Sequence, residues 1–294
     1  MTLTSSKPAP AGYTAVLNQL GQNLYVPTAE YDLVSKLLDR GQNIFLAGPK
    51  GTAKTEFAWA VFNERGAGHP SSAIFQAEFG AIASGDELDG YRTIDNDGKL
   101  VNIPSEFLKA IQHAASGNQS YLIADELNRV LTASALNKGL RLWSNQREYV
   151  SDLSGILHVD SNLFTVATAN IGYRGTVPLN EALLDRFTAI EVAPLKGKAL
   201  QYMLEERFPA VSASDVNKIV MLSDESWKAW ENDRDGELLP ITTRDAQRIM
   251  INVDVGLSVK DAARRALVGS LVIQNKGIEA VEALDTFIKG KLGV

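Results

Sequence analysis

Eight consecutive residues, Gly48-Pro49-Lys50-Gly51-Thr52-Ala53-Lys54-Thr55, carry the strongest chemical signal in the chain. They follow the apolar run Ile44, Phe45, Leu46 and Ala47 and precede a helical pattern of Phe57, Ala58, Val61 and Phe62. A buried strand, a Gly-rich turn and a helix in that order make a phosphate cradle, because free backbone N–H groups and the helix dipole point at one anion. Lys54 is then placed to reach the β- and γ-phosphates of a nucleotide, and the Thr55 hydroxyl to bind the magnesium ion that bridges them. Ala53 departs from the phosphate-loop pattern G-x-x-x-x-G-K-[ST], which has a second Gly there. The sequence predicts a negative φ at Ala53, since a positive one costs about 1 kcal/mol or more for a residue with a Cβ.

A second pair of groups fits the same chemistry. The apolar strand Tyr121-Leu122-Ile123-Ala124 ends in Asp125-Glu126, and two carboxylates at the tip of a buried strand are costly unless a cation or protein donors satisfy them. Asp125 is suited to hold magnesium, directly or through water, and Glu126 to polarise an attacking water. Asn170 closes the predicted strand Leu163 to Ala169. In a parallel α/β sheet, ligands lie at the carboxyl ends of the strands, so Asn170 should enter the crevice shared by Thr55, Asp125 and Glu126. Taken singly, an acidic strand end and an Asn at a turn are ordinary surface features. His69, His113 and His158 have no metal-ligand spacing.

The elements that must position these groups are legible in outline. Tyr31, Val34, Leu37 and Leu38 recur at helical spacing and Gly41 stops the run, which predicts a helix from Thr28 to Arg40. Tyr25 and Val26 just before it read as packing residues, with contact to an adenine ring as the alternative. A buried strand is predicted at Ala73 to Ala77, a helix at Ser105 to Ala115, a helix through Leu136, Leu140 and Trp143, and a hairpin around Arg147 to Val159. The irregular stretch Gly80 to Pro104 is longer than a connection requires and reads as a surface facing a substrate or partner. From about Leu195 the pattern is helical throughout, with Trp227 and Trp230 as core residues and Asn232 to Gly236 as the most loop-like break. The expected division is a flexible tail at residues 1–20, an α/β core at 21–194 and a helical domain at 195–294.

The chain has 294 residues, 45% hydrophobic and 22% charged, and a formal net charge of −6. That size buries a full core and suits two domains. The acidic balance argues against coating nucleic acid with the whole surface, while leaving room for a local basic groove. The absence of cysteine excludes a disulfide framework, a thiol nucleophile and a Cys-based zinc site. No stretch nears the ~18 uninterrupted apolar residues of a membrane span, and Met1 to Pro10 lacks a signal-peptide core. The expected location is the cytoplasm.

Four motifs in this order resemble the AAA+ ATPases of the MoxR and dynein-related group. They are Gly48 to Thr55, Asp125-Glu126-Leu127-Asn128-Arg129, Ala167-Thr168-Ala169-Asn170 and Leu183-Leu184-Asp185-Arg186-Phe187. The resemblance spans roughly Tyr25 to Val192, and Thr242-Thr243-Arg244-Asp245 resembles the start of the family's sensor 2 helix. It implies a P-loop NTPase core of α/β class with a parallel sheet, followed by a smaller all-helical lid. It also implies ATP and Mg2+ as ligands and a homo-oligomeric ring, usually a hexamer, with ATP bound between subunits. A partner carrying a von Willebrand factor A domain is common in the family. Residue by residue, Asn170 matches sensor 1, Arg186 the arginine finger and Arg244 sensor 2, with Arg248 as rival for the last role. Without the resemblance, Arg186 reads as an arginine capping its own helix. The function implied is an ATPase that remodels a protein partner. The alternatives are a nucleic-acid motor or loader with the same ATP site, and a weakly hydrolysing nucleotide-dependent scaffold.

Overall fold

The structure, a computed structural model, describes residues 9–80, 82–131, 133–171, 178–232, 240–273 and 278–292. The chain forms two compact units, one of Val16–Pro49 and Ala53–Val192 and another that includes Ala193–Val294.

The described chain opens with a hairpin of β1 (Tyr13–Leu17) and β2 (Asn23–Pro27). The Asn18 side chain builds its turn by accepting from the backbone N–H groups of Leu20 and Gln22, and Gly21 supplies a φ of 70°. Ordered strand thus occupies positions where the sequence predicts a tail; β1 is half-buried along its whole length, so it has no apolar alternation to read.

The helix α1 (Thr28–Asp39) buries Tyr31, Val34 and Leu38, as its spacing predicts. Then follow β3 (Ile44–Gly48), α2 (Lys54–Gly66), β4 (Ala73–Glu78), and a small antiparallel pair, β5 (Gly90–Ile94) with β6 (Leu100–Pro104). This pair fills the irregular stretch of the sequence. Gly90 is required in it, because at φ 116° a Cβ would lie 2.1 Å from the Ile103 carbonyl oxygen. Next come α3 (Glu106–Ala115), capped by the Ser105 side chain, and β7 (Ser120–Asp125), buried at every residue. The helix predicted through Leu136, Leu140 and Trp143 is instead a 3-10 segment, Ala133–Gly139. Gly139 weakens an α-helix at that point, and the Trp143 ring packs so closely on it that a Cβ would meet the ring at 2.8 Å. The predicted hairpin is present as β8 (Glu148–Ser151) and β9 (Gly155–His158), and β10 (Leu163–Asn170), α4 (Glu181–Leu184) and β11 (Thr188–Glu191) complete the unit.

Five strands form one sheet in the order β11-β3-β10-β7-β4, all parallel. Its two faces are both covered, as a parallel sheet requires. Phe45, Leu122, Ala124 and Ala167 pack against Phe107, Leu108 and Ile111 of α3 and against Trp143 and Tyr149. On the opposite face Ile44, Leu46, Ile123 and Val166 pack against Val34 and Leu38 of α1 and Phe57, Val61 and Phe62 of α2. Tyr25 and Val26 are buried. This is the α/β core of a P-loop NTPase, and the remaining unit is helical: α5 (Gly197–Arg207), α6 (Ala213–Asn232), α7 (Thr243–Asp254), α8 (Val259–Ile273) and α9 (Ile278–Leu292). Within it Trp227 and Trp230 meet edge to face at 5.5 Å, and the Trp227 indole N–H donates to the Ile241 carbonyl. The break predicted at Asn232 to Gly236 lies, beyond Asn232, outside the described residues. No helix among the described residues is long and apolar enough to cross a membrane.

Candidate nucleotide site

Strand register brings the predicted groups together. Asn170 at the end of β10 pairs with Gly48 at the end of β3, and Ala167 pairs with Ala124, which puts the tips of β3, β10 and β7 side by side. Lys54 is buried, and its ammonium donates to the carbonyls of Gly48 (3.1 Å) and Pro49 (2.7 Å) and to Asn170 Oδ1 (3.0 Å). Asn170 Nδ2 donates in turn to Glu126 Oε1 at 2.9 Å. The Thr55 hydroxyl donates to Asp125 Oδ1 at 2.7 Å. Five side chains from three segments of sequence are thus gathered into one site, as two bonded groups.

Three further residues complete it, and the sequence had assigned them no part. The Thr168 hydroxyl donates to Asp125 Oδ1 at 2.5 Å and accepts the backbone N–H of Glu126 at 3.0 Å. Asn128 Nδ2 donates to the Asn170 carbonyl at 2.7 Å, and Gln76 Nε2 reaches Asp125 Oδ2 at 3.4 Å and Glu78 at 2.8 Å. Thr168 was within reach of sequence reasoning, since in a strand it lies two residues before Asn170 and shares its face. Gln76 carried no such signal. Glu126 itself is left-handed, at φ 52°, which turns the chain sharply at the strand tip.

The cradle differs from expectation at one point. Ala53 has φ 60° and ψ 30°, so the residue standing in for the second Gly does adopt the left-handed conformation, as Gly51 does at φ 79°. The loop dictates this geometry: left-handed residues turn successive backbone N–H groups toward a common point, the concavity that receives an anion. Ala53 also precedes α2 as its N-cap, and its methyl cannot accept a hydrogen bond, so it leaves the helix's first-turn donors to a ligand. The Thr55 hydroxyl and the Asp125 carboxylate are hard oxygen donors in contact with each other, a set that fits magnesium.

Arg186 lies elsewhere. It follows the short α4 and precedes β11, whose first residue, Thr188, pairs with Ile44 at the start of β3, so it stands at the amino end of the sheet. Its Nε donates to the Leu140 carbonyl at 2.9 Å and its Nη1 to the Ala182 carbonyl. It borders a cleft of about 310 Å³ with Gln42, Asn43, Trp143, Arg147 and Asp185. In the helical unit, Thr242 and Asp245 form a capping box at the start of α7. Arg244 and Arg248 are both exposed in its first two turns, and Arg248 pairs with Asp245 at 3.3 Å.

Comparison with known proteins agrees with this geometry. Residues 43–187 match the model of the AAA domain, dynein-related subfamily. The uncharacterized protein YojN of Bacillus subtilis is 29% identical over 196 residues, which cover 64% of this chain and 60% of that one. The chain therefore spans less than two thirds of that relative. The uncharacterized protein SSP1341 of Staphylococcus saprophyticus is 26% identical over 196 residues, 64% of this chain and 70% of that one. Among solved structures, NtrX from Brucella abortus shares the fold at a TM-score of 0.51, with 14% identity over 93% of this chain and 69% of that one.

Proposed function

We propose, from the match of residues 43–187 to the AAA domain of the dynein-related subfamily, that the protein hydrolyses ATP as a subunit of a MoxR-like ring, a hexamer as is usual in that family, and uses the reaction to remodel a protein partner in the cytoplasm.

 The observation that carries this reading is the gathering of these side chains: a buried lysine and a threonine from the loop, an aspartate and a glutamate from the tip of β7, and an asparagine from the tip of β10 that touches both the lysine and the glutamate. Gly48 to Thr55 would receive the phosphates, with the Lys54 ammonium against the triphosphate. Thr55 and Asp125 would hold magnesium, which when bound neutralises charge on the phosphate oxygens. Glu126 would polarise the attacking water and Asn170 would keep that carboxylate and Lys54 in register. Residues 21–194 would serve as the catalytic core and 195–294 as the lid, with Arg244 as its phosphate sensor and Arg248 as the rival.

Arg186 supports the ring. At the amino end of the sheet it is on the far side from its own phosphate loop, so a part in catalysis requires a neighbour's nucleotide. An arginine supplied across an interface in this way is worth roughly 10³- to 10⁵-fold in rate. A partner with a von Willebrand factor A domain suits the family.

One set of ATPase assays tests the whole reading. Glu126→Gln should bind ATP and lose most turnover, and Lys54→Ala should lose binding. Arg186→Ala should bind and turn over poorly, and mixing it with Lys54→Ala should restore part of the rate, because an intact loop then meets an intact arginine. Wild-type turnover by Glu126→Gln, or full activity in a demonstrated monomer, would overturn it.

A further inference from the structure

The cleft at the amino end of the sheet is bordered by two cations that the protein leaves to neutral partners. Arg147 donates through Nη1 to the Asp160 carbonyl at 2.9 Å and through Nη2 to the Gly41 carbonyl at 3.4 Å. Arg186 donates to the carbonyls of Leu140 and Ala182. Both arginines are half-buried and both line the cleft of about 310 Å³. Among the described residues neither guanidinium forms an ion pair, and carbonyls fix each fork while leaving its other N–H groups for a ligand. Asp185, which is exposed, is the one carboxylate among the described residues that line the cleft, so arginine outnumbers acid there.

The backbone holds Arg147 in place at a cost. It is left-handed, at φ 46°, a strained conformation for a residue with a Cβ. Its N–H donates to the Ser144 carbonyl at 3.2 Å and its carbonyl accepts from the Val159 N–H at 2.9 Å, which ties that conformation to the base of the β8–β9 hairpin. Two residues in the wall of the cleft carry a buried polar group without a hydrogen-bond partner, the Trp143 indole N–H and the Thr165 hydroxyl. They are 4% and 1% exposed. Groups so placed are costly, and an occupant that brings oxygen atoms offsets the cost.

We propose that this cleft is a second anion site, at the opposite end of the sheet from the phosphate loop, and that it takes a small phosphate monoester. Two guanidiniums suit the charge and the oxygen geometry of a phosphate group. The volume is that of a small-molecule site, and Gln42 and Asp185 in its lining suit the hydroxyls of the ester's alcohol. On the ring reading, an occupant bonded to Arg186 holds that arginine back from a neighbour's nucleotide, which makes the cleft inhibitory.

Calorimetric titration of inorganic phosphate, and then of glycerol 2-phosphate, into the full chain carrying Lys54→Ala tests the cleft with the phosphate loop disabled. Both should bind, and adding Arg147→Gln should weaken both by roughly tenfold or more, the scale of one lost charge-assisted hydrogen bond. Arg147→Lys, which keeps the charge and loses the fork, should fall between. Either ligand should also raise the melting temperature of the Lys54→Ala chain by more than that of the double variant. Melting curves without ligand show whether Arg147→Gln folds as well as its parent, and Arg186→Gln, read the same way, supplies a second variant. No binding to the Lys54→Ala chain, or binding that both arginine variants leave unchanged, would overturn the site. Binding of phosphate without the ester would overturn the monoester as its ligand. If no free anion binds and Arg147→Gln alone slows ATP turnover, Arg147 serves a neighbour's nucleotide beside Arg186 and the proposal is overturned.

Discussion

Two buried aspartates in the α/β unit, Asp89 and Asp125, are satisfied in opposite ways. Asp89, 2% exposed, accepts from the Lys138 ammonium at 2.8 Å, the Tyr149 hydroxyl at 2.6 Å and the Asp152 N–H at 2.6 Å. Its charge is met inside the protein, and the same bonds fasten the start of β5 to the β8–β9 hairpin. Asp125, 7% exposed, is bonded by the hydroxyls of Thr55 and Thr168 and the amide of Gln76. Among the described residues its charge is met by neutral donors. A buried carboxylate with its own cation is a structural joint, whereas one left to neutral donors is suited to a cation that arrives from outside.

Substituting each acid in turn would break the comparison most directly. Asp125→Asn should lower kcat for ATP by on the order of 10³-fold and change stability little, because it removes a buried charge without orphaning a cation. Asp89→Asn should do the reverse, keeping kcat within a few-fold and lowering stability by about 3 kcal/mol, a melting temperature lower by roughly 6–12 °C. ATPase assays and melting curves on both variants check this, and equal effects on both properties would erase the distinction. A smaller effect is expected at Tyr149, whose hydroxyl is pushed up in pKa by burial and then by its bond to Asp89, so that it stays protonated and donates. Tyr149→Phe should cost about 1–2 kcal/mol in chemical denaturation with ATP turnover unchanged. The smallest effect concerns the loop beside Asp125. Ala53→Gly should stabilise the chain by about 0.5–1 kcal/mol, since relief of left-handed strain exceeds the entropic cost of Gly. A melting temperature that fell would show that the Ala53 methyl contributes packing that the strain argument neglects.

The candidate nucleotide site was far more legible in the sequence than the joint around Asp89. Lys54 and Thr55 announce themselves by spacing, and Asp125-Glu126 and Asn170 by standing at the ends of largely apolar strands, because a parallel strand buried on both faces keeps its charged and amide groups to the tip. Asp89 gave no such signal. It lies ahead of β5, four of whose five residues are exposed, so that neither face alternates and the hairpin could be read only as irregular chain. The left-handed φ of Ala53 was hidden for another reason: it is imposed by the loop's closure around its N–H groups and leaves no mark on the side chain.

The amide of Asn170 presents its oxygen to an ammonium and its nitrogen to a carboxylate. That polarity restricts substitution during divergence. Aspartate at 170 would set one carboxylate against another, leucine would leave Lys54 and Glu126 each short of a partner, and serine would be too short to reach both. The three positions are thus expected to change together, so a related chain that has lost the amide should have lost Lys54 or Glu126 as well.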